Sequence, residues 1–309
     1  MGEESCAATE VWTIGLLLRW TTEYLSRAGV DEPRLSAELL LSHALGCAKI
    51  ELYTRFDQEP TDQQRVAFRE LVRQAAEHKP VAYLVGHKEF YSLDFAVTPE
   101  VLIPRPETEV LVERAIACCQ ASEEPQVHLL DMGTGSGCIA VAILSQVAKV
   151  RAVGSDVSAT ALAVARHNAE THQVADRLRL VQADRLNLPE DCVPSGGFDL
   201  IVSNPPYVAQ RDMESLPRNV GEYEPRVALL AGADGLTFYR TLGESGPSLL
   251  KPGGALLVEI GAGMADAVHQ VMESGEAFEH SGTWRDASGS HPRVMQFVLR
   301  QRRGTQDRN

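Results

Sequence analysis

The tetrapeptide Asn204-Pro205-Pro206-Tyr207 carries the most informative chemistry in this sequence. It follows FDLIVS (198–203), an apolar run typical of a buried strand. Because proline lacks a backbone N–H and holds its predecessor in extended backbone, the carbonyl groups of Asn204 and Pro205 should point in fixed directions. A carbonyl and the Asn204 carboxamide oxygen can accept the two hydrogens of a planar NH2 group. Tyr207 adds a flat face for the same group.

An amide or aryl amine nitrogen is a weak nucleophile, because its lone pair is delocalised into the adjacent π-system. A site that holds both hydrogens and directs the nitrogen at an electrophilic carbon would act by positioning and electrostatics, without a strong general base. The methyl group of a sulfonium is such a carbon. The motif therefore indicates methyl transfer from S-adenosylmethionine to a planar NH2 group; the structural alternative is a strand terminator followed by a packed tyrosine.

A glycine-rich loop, DMGTGSG at residues 131–137, follows an earlier apolar segment. Glycines at alternate positions allow a tight turn after a strand and let a ligand approach the backbone closely. The spacing G-x-G-x-G departs from the G-x-G-x-x-G pattern of dinucleotide sites, which disfavours a nicotinamide or flavin cofactor. A plain turn from strand to helix is the alternative.

Acidic residues end the next two apolar segments. Asp156 is placed to accept hydrogen bonds from both hydroxyls of an adenosine ribose. Asp184 is placed for an adenine amine. Because the carboxyl ends of parallel strands meet at one edge of a sheet, these acids and the glycine loop predict an adenosine pocket. Solvated acids in ordinary turns are the alternative, most of all for Asp184.

The elements that would position these residues alternate between strand and helix. Apolar segments predict strands at residues 127–131, 151–156, 178–184, 198–204, 255–260 and 294–299. Helices fit between them, notably over 139–146 and 159–171. Such alternation predicts an α/β fold with a largely parallel sheet covered on both faces.

The first part of the chain has a different pattern. Helical spacing of apolar residues within 1–80 predicts a small bundle, including helices over Pro33–Leu45 and Asp62–His78. Between Val81 and Val101 the period falls to about two, which predicts a β-hairpin linking two domains. The polar residues 301–309 predict a disordered tail.

Several charged residues near the motifs have two interpretations. Arg105, Glu107 and Glu109 could form a lid over the cofactor, or a helix N-terminus with a surface ion pair. Glu222 and Glu224 follow the NPPY motif, where they could order a substrate entrance or lie in a solvated loop. The sequence does not decide between these roles.

Composition limits the classes of partner. Lys and Arg total 29 against 42 Asp and Glu, a formal net charge of −13, which disfavours direct nucleic-acid binding. The six cysteines include the adjacent pair Cys118 and Cys119 and no C-x-x-C, so we expect thiols in a reducing compartment and no metal site. No apolar run approaches the ~20 residues that span a bilayer, and the N-terminus lacks targeting features; the sequence therefore predicts a cytoplasmic protein.

These motifs together resemble one family, the HemK/PrmC-type class I methyltransferases that modify the side-chain nitrogen of glutamine in peptide chain release factors. The resemblance covers nearly the whole chain and is carried by RLSAELLLSHALG, VAYLVGHKEFYSLDFAV, LIPRPETE, DMGTGSG, SNPPY and EPRVALLAGADGLTFYR. NPPY alone is shared with adenine and guanine amino-methyltransferases. Its combination with LIPRPETE and with the segment 224–240 is more specific.

The resemblance implies a Rossmann-like, mostly parallel seven-stranded sheet with an N-terminal helical domain joined by a β-hairpin. The implied divisions are a helical substrate-recognition domain (1–80), a hairpin linker (81–103) and a methyltransferase domain (104–300). S-Adenosylmethionine is the implied cofactor, and the strand ends and the resemblance together predict that its site comprises Gly133, Thr134, Gly135, Ser136, Gly137, Asp156, Asp184, Arg185 and Asn204. Arg185 departs from the family pattern, because relatives often carry an aromatic residue there; its guanidinium plane could substitute for a ring.

Asn204 to Tyr207 are then the expected catalytic residues, holding the glutamine of the GGQ motif of a class I release factor. The helical domain and the hairpin would help to receive that loop, and we expect a monomer. Two other functions remain open at this point. One is an amino-methyltransferase acting on a base of RNA or DNA, and the other is a non-catalytic module that senses S-adenosylmethionine.

Overall fold

The computed structural model describes residues 11–286 and 288–300. Its contacts divide the chain into two units. The first comprises residues up to Gly86 together with Arg218–Tyr223, and the second comprises His87–Pro217 together with the residues from Glu224 onward. The predicted tail at 301–309 lies outside the described residues.

Helices make up the first unit and cover the sheet of the second. In chain order they are α1 (Ile14–Arg27), α2 (Pro33–Leu45), α3 (Lys49–Thr54), α4 (Asp62–Ala76), α5 (Val81–Val85), α6 (Glu109–Ala121), α7 (Cys138–Gln146), α8 (Ala159–Thr171), α9 (Arg218–Gly221), α10 (Thr237–Leu249) and α11 (Ala265–Glu273). The strands are β1 (His87–Phe90), β2 (Leu93–Ala96), β3 (Val127–Met132), β4 (Val150–Asp156), β5 (Leu178–Gln182), β6 (Phe198–Ser203), β7 (Leu250–Glu259), β8 (Phe278–Arg285) and β9 (Pro292–Leu299).

The first unit is a bundle of α1 to α5 with the short helix α9. Its core contains fully buried leucines, including Leu25, Leu40 and Leu52. Helix α4 begins at a capping box in which the Thr61 hydroxyl accepts the Gln64 N–H at 3.3 Å and the Gln64 side chain accepts the Thr61 N–H at 3.0 Å. The bundle predicted from apolar spacing is therefore present.

The predicted hairpin is shorter than expected. Residues 81–85, which were expected to begin it, form the helix α5 instead, capped by Gly86 at φ +83°. The strands β1 and β2 pair in antiparallel register. By its contacts the hairpin belongs to the second unit, since Phe90 and Phe95 are buried in that unit's core. The domain boundaries at 80 and 103 remain a prediction.

The second unit is a seven-stranded sheet in the order β5-β4-β3-β6-β7-β9-β8. The strands from β5 to β7 are parallel, and β9 runs antiparallel to β7 and β8. Successive side chains of β3 pack in hydrophobic cores on opposite faces of the sheet. Leu129 packs with residues of α7, and Leu130 packs with residues of α10. The sheet is thus buried on both faces, as its continuous apolar strands predict.

One strand of the sheet, β8, is absent from the sequence prediction. Its sequence FEHSGTWR contains a glycine and few apolar residues, and its burial alternates from Phe278 onward because it forms an edge of the sheet. Short-range hydrophobicity is too weak there to indicate a strand. The pairing with β9 supplies the missing stabilisation.

Cysteines in the described part of the chain are free thiols, half-buried or buried. Among the same residues there is no group of three His, Cys, Asp or Glu side chains placed to hold a metal ion. No described helix combines the length and apolar character that a membrane span requires.

Candidate active site

The glycine loop follows the end of β3 and leads into α7. Its glycines Gly133, Gly135 and Gly137 have φ values of +74°, +55° and +81°, in the left-handed region that favours glycine. At Gly137 an added Cβ would also lie 3.1 Å from the Cβ of Ala165. The alternate glycines therefore serve both the turn and the close packing of the loop on α8.

Asp156 ties this loop to the next strand. Its carboxylate accepts the backbone N–H of Gly135 at 2.9 Å through Oδ2 and that of Ser158 at 2.9 Å through Oδ1. Strands β3 and β4 are parallel, with Met132 paired to Ser155, so both strands end at one edge. Each carboxylate oxygen retains a second lone pair, which leaves Asp156 able to accept hydroxyl donors from a ligand.

Asp131 supports the loop from beneath. It is fully buried, and its Oδ2 accepts the Thr134 hydroxyl at 2.7 Å. Within the described residues its Oδ1 has no hydrogen-bond partner. Burial raises the pKa of this carboxyl to about 7, although the Thr134 hydrogen bond opposes the shift. Thr134 and Ser136 are themselves buried and hold the loop's shape.

The NPPY motif occupies the end of β6, next to β3 in the sheet. Asn204 is half-exposed, and its Nδ2 donates to the Thr108 hydroxyl at 3.1 Å. The Tyr207 ring is half-buried and packs on Gly261, where an added Cβ would lie 3.0 Å from Tyr207 Cδ2. Burial raises the pKa of the Tyr207 hydroxyl.

A single cavity of about 590 Å³ joins the glycine loop, the acids and the NPPY motif. The predicted residues that line it are Gly133, Gly135, Asp156, Asp184, Arg185, Asn204, Pro205 and Pro206. The predicted residues that do not line it are Thr134, Ser136, Gly137 and Tyr207. These four lie within two residues of lining residues in the chain, so the predicted motifs meet at one cavity although not every residue in them lines it.

The adenine end of the predicted site is more exposed. Asp184 and Arg185 are both exposed, and Arg185 has φ +54°. The Arg185 guanidinium carbon lies 5.4 Å from the centre of the Phe238 ring, and Phe238 lines the cavity from α10. An aromatic face is thus present through Phe238, in the GLTFYR part of the segment that carried the family resemblance.

The charged residues left undecided by the sequence separate into different environments. The side chain of Glu224 is 1% exposed and forms an ion pair with Arg105, which is 32% exposed. Glu224 also accepts the Ile103 N–H at 3.4 Å. Burial raises the pKa of Glu224, and Arg105 opposes that shift. The pair therefore ties the loop after β6 to the LIPRPETE segment, and it is not a surface pair.

Glu109, Glu107 and Glu222 have other positions. Glu109 accepts the Tyr91 N–H at 2.8 Å and so fixes the tip of the hairpin. Glu107 follows Pro106 in a 3-10 turn at the start of α6, as expected for a helix N-terminus. Glu222 belongs to the first unit, where it is exposed and pairs with Arg218 at 2.8 Å.

Two lining segments were not predicted as site residues. Residues 100–102 lead into the LIPRPETE segment, which begins at Leu102, and most of residues 225–232 line the cavity after Glu224. Both are irregular apart from one short 3-10 turn at Arg226–Ala228. Only the family resemblance of LIPRPETE and EPRVALLAGADGLTFYR could have indicated these segments. No local sequence pattern distinguishes the wall of a cavity from an ordinary loop.

The residues present fit S-adenosylmethionine. The cavity volume lies in the ~300–1,000 Å³ range of small-molecule sites. A Cβ added at Gly133 would meet no atom within 4 Å, so the space beside the loop is open to a ligand. Asp156 supplies the acceptors that ribose hydroxyls require. Gly133, Gly135 and Asp156 would hold the nucleoside, with Phe238 or Arg185 beside its base.

Comparison with known proteins agrees with this geometry. Residues 17–86 match the family model of the PrmC N-terminal domain, and residues 109–218 match that of the methyltransferase small domain. The release factor glutamine methyltransferase of Rhodopirellula baltica is 44% identical over 92% of this chain and 95% of its own. That of Geobacter sulfurreducens is 46% identical over 84% of this chain and 88% of its own.

Among solved structures, the hMettl16 catalytic domain in complex with a MAT2A 3'UTR hairpin matches with a TM-score of 0.57. The match covers 91% of each chain at 14% identity, so it shows the fold alone. The two relatives above match at far higher identity over most of their length. The chain therefore belongs to the family of release factor glutamine methyltransferases.

Proposed function

We propose that this protein transfers a methyl group from S-adenosylmethionine to the side-chain amide nitrogen, N5, of the glutamine in the GGQ motif of class I peptide chain release factors, and so supports translation termination. One observation carries the proposal. Asn204 and Pro205 line the same cavity as Gly133, Gly135 and Asp156. A planar NH2 group and a nucleoside methyl donor would therefore meet there.

When bound, S-adenosylmethionine supplies an electrophilic methyl group. Asp156 and the glycine loop fix the nucleoside, because the Asp156 carboxylate already holds the Gly135 N–H. The Asn204 carboxamide oxygen and the adjacent backbone carbonyls accept the two glutamine N–H groups. These contacts hold the amide nitrogen in one direction, which is the main requirement for reaction of a weak nucleophile.

The lining residues of this cavity include no buried general base within the described chain. The acidic members are Glu100, Asp156 and Asp184. Glu100 and Asp184 are exposed, and Asp156 is engaged with backbone donors. Acceleration by positioning and by preorganised acceptors is therefore the mechanism that the site supports. The amide proton leaves to solvent once the carbon–nitrogen bond has formed.

The test is methylation of a purified class I release factor with labelled S-adenosylmethionine, beside a release factor whose GGQ glutamine is replaced by alanine. We expect label on N5 of that glutamine in the first and none in the second. Equal labelling of both, or labelling of RNA or DNA in place of protein, would overturn the proposal. The second result would support the base amino-methyltransferase.

Asn204→Ala should lower turnover by at least ~10²-fold while leaving cofactor affinity nearly unchanged, since it removes a preorganised contact to the reacting amide. Steady-state kinetics and calorimetry of cofactor binding measure the two effects separately. Turnover near the original value would contradict the role of Asn204. Cofactor binding with no turnover on any release factor, even in the unaltered protein, would favour a sensing module.

The first unit offers a surface for the release factor. Trp20 is 44% exposed and stacks on Tyr24 with ring centres 5.0 Å apart, and Trp12 meets Trp20 edge-on. Exposed aromatic clusters are enriched at protein interfaces. Trp20→Ala should raise the KM for the release factor several-fold without changing cofactor affinity. Ile50→Ala, at an exposed apolar residue of α3 in the same unit, is the matched control. Equal KM values for the two variants would exclude Trp20 from the interface.

The release factor is the only macromolecular partner that we propose. A monomeric state, the absence of direct nucleic-acid binding and a cytoplasmic location stay predictions from the sequence. Size-exclusion chromatography with light scattering measures the first, and a salt titration of RNA binding measures the second.

A further inference from the structure

Asn168 is a buried residue of α8 whose side-chain amide binds two segments that are far apart in the sequence. Its exposed fraction is 1%. Its Oδ1 accepts the Ala96 N–H at 2.8 Å, and its Nδ2 donates to the Ala96 carbonyl at 3.0 Å. Nδ2 also donates to the Ser136 carbonyl at 2.8 Å. One amide therefore joins the end of β2 to the glycine loop.

The partners of Asn168 fix the direction of its amide. A backbone N–H can only donate and a carbonyl can only accept. Oδ1 must therefore face the Ala96 N–H, and the NH2 group must face the carbonyls of Ala96 and Ser136. The NH2 group has two hydrogens, one for each carbonyl. The reverse orientation would place like groups against each other at every one of these contacts.

Both segments lead to the lining of the cofactor cavity. Ser136 lies between Gly135, which lines the cavity, and Gly137, which packs on α8. The chain after Ala96 passes through the buried Val97 and reaches the cavity at residues 100–102. Asn168 does not line the cavity. It can therefore act on a ligand only through the two segments that it holds.

Another residue of α8, His172, binds the hairpin formed by β1 and β2 without binding the loop. A ring nitrogen, Nε2, donates to the Asp94 carbonyl at 2.8 Å, and the ring lies 5.1 Å from that of Phe95, centre to centre. In the part of the chain that the structure describes, no side-chain hydrogen bond joins His172 to residues 133–137. His172 therefore provides a matched control for Asn168.

We propose that Asn168 is a positioning residue of the cofactor site. Its amide holds the glycine loop and the strand that leads to residues 100–102 as one unit, so that a nucleoside bound by the loop also stabilises the hairpin. The inference goes beyond the proposed function, because it needs a nucleoside in the cavity and does not depend on which group accepts the methyl.

The loop is fixed by two contacts on successive residues. Asp156 accepts the Gly135 N–H at 2.9 Å, and Asn168 donates to the carbonyl of the next residue, Ser136. Without the Asn168 amide, the Asp156 contact remains, but the Ser136 carbonyl and both backbone groups of Ala96 lose these partners. The loop and the hairpin can then move independently, and the ordering of the loop on binding costs more.

Asn168→Ala tests the effect on the cofactor site. Calorimetry with S-adenosylhomocysteine, the product nucleoside that lacks the transferred methyl group, should show a rise in Kd of ~10-fold. His172→Phe removes one contact of the hairpin with α8 and should leave the Kd within about twofold. An unchanged Kd in a folded Asn168→Ala protein, or an equal rise in both variants, would overturn the inference.

Asn168→Asp provides a second variant that keeps the size of the side chain. It retains an acceptor for the Ala96 N–H but has at most one hydrogen for the two carbonyls. Circular dichroism establishes the folded state of each variant. We expect the Kd to rise by at least ~3-fold in Asn168→Asp, and an unchanged Kd in this folded variant would also overturn the inference.

Amide hydrogen exchange, measured by mass spectrometry, tests whether the two segments respond together. Among the described residues, none from the hairpin at His87–Ala96 lines the cavity, so a bound nucleoside does not cover them directly. Saturating S-adenosylhomocysteine should slow exchange in the hairpin of the unaltered protein by ~5-fold or more. The same response should remain in His172→Phe.

In Asn168→Ala, saturating S-adenosylhomocysteine should still slow exchange in residues 133–137 but no longer in the hairpin. A residue that only stabilises the fold would change exchange without ligand and leave the response to ligand intact. A hairpin response that survives in Asn168→Ala, or is absent from the unaltered protein, would overturn the inference. Failure of the unaltered protein to methylate a release factor would overturn only the proposed function.

Discussion

Arg105→Ala tests the buried ion pair that joins the loop after β6 to the LIPRPETE segment. In the unaltered protein, Glu224 has the Arg105 guanidinium and the Ile103 N–H as partners. The substitution leaves a carboxylate of 1% side-chain exposure with a single backbone hydrogen bond of 3.4 Å. We expect a lower free energy of unfolding, because the charge stays buried without its counter-ion.

The expected loss follows from the burial of the two partners. Removing one member of a buried pair costs about 3–5 kcal/mol. Arg105 is 32% exposed, so water can enter the space left by alanine and partly solvate Glu224. The loss should therefore lie lower, at about 2–3 kcal/mol, which corresponds to a fall in Tm of about 4–10 °C. Glu224→Gln removes the charge and should cost about 1 kcal/mol.

The loss should also depend on pH. The pKa of Glu224 is already raised by burial, and removing Arg105 raises it further. The full destabilisation is present above that raised pKa, where Glu224 is ionised in both states. It declines as the pH falls through that raised pKa and is gone below the folded pKa of Glu224 in the unaltered protein, because the buried carboxyl is then neutral in both folded proteins.

Thermal unfolding at pH 8 and pH 5 measures this difference. The double variant Arg105→Ala with Glu224→Gln should recover most of the loss at pH 8, because it no longer buries a charge. A fall in Tm below about 2 °C at pH 8, or an equal fall at both pH values, would refute the reasoning. So would a double variant that is no more stable than Arg105→Ala.

Three further predictions concern the cofactor site. Asp156→Asn should raise the cofactor Kd, measured by calorimetry, by at least ~10-fold, because it weakens both the hydrogen bond to the Gly135 N–H and the contact with the ribose. Asp176→Asn, which alters an exposed acid, should leave the Kd unchanged. Arg185→Ala should weaken cofactor binding several-fold and Arg185→Trp should not, if a planar group beside the base is what matters; equal losses would exclude stacking. Without ligand, stability should fall as the pH rises from 5 to 8, because the folded pKa of Asp131 is raised, and Asp131→Asn should flatten that slope in denaturant titrations.

The sequence predicted the parallel part of the sheet, and it singled out motifs that the structure brings together at one cavity. Both depend on short-range signals: continuous apolar runs for buried strands, and glycine or proline where the backbone must take a special path. Gly133 and Gly135 have the positive φ that their spacing implied. Asn204 and Pro205 lie beside them because neighbouring parallel strands end at one edge.

The errors arise where long-range contacts decide the structure. The strand β8 depends on pairing with β9, and the helix α5 has only five residues, too few for a helical period. The contact of the Tyr207 ring with Gly261 also joins residues far apart in the chain, and the role of Tyr207 toward the substrate stays a prediction. The burial of Glu224 could not be predicted, because its partner Arg105 is 119 residues away in the chain.

The fixed position of the Asp156 carboxylate also affects how the enzyme binds the product of each reaction. Its carboxylate is fixed by backbone donors before any ligand arrives, so little order must be gained when a nucleoside binds. The same contacts cannot sense whether the distant sulfur still carries its methyl group. S-adenosylhomocysteine, the product that has lost the methyl group, should therefore compete strongly with S-adenosylmethionine for this site. Sustained turnover in a cell would depend on its removal.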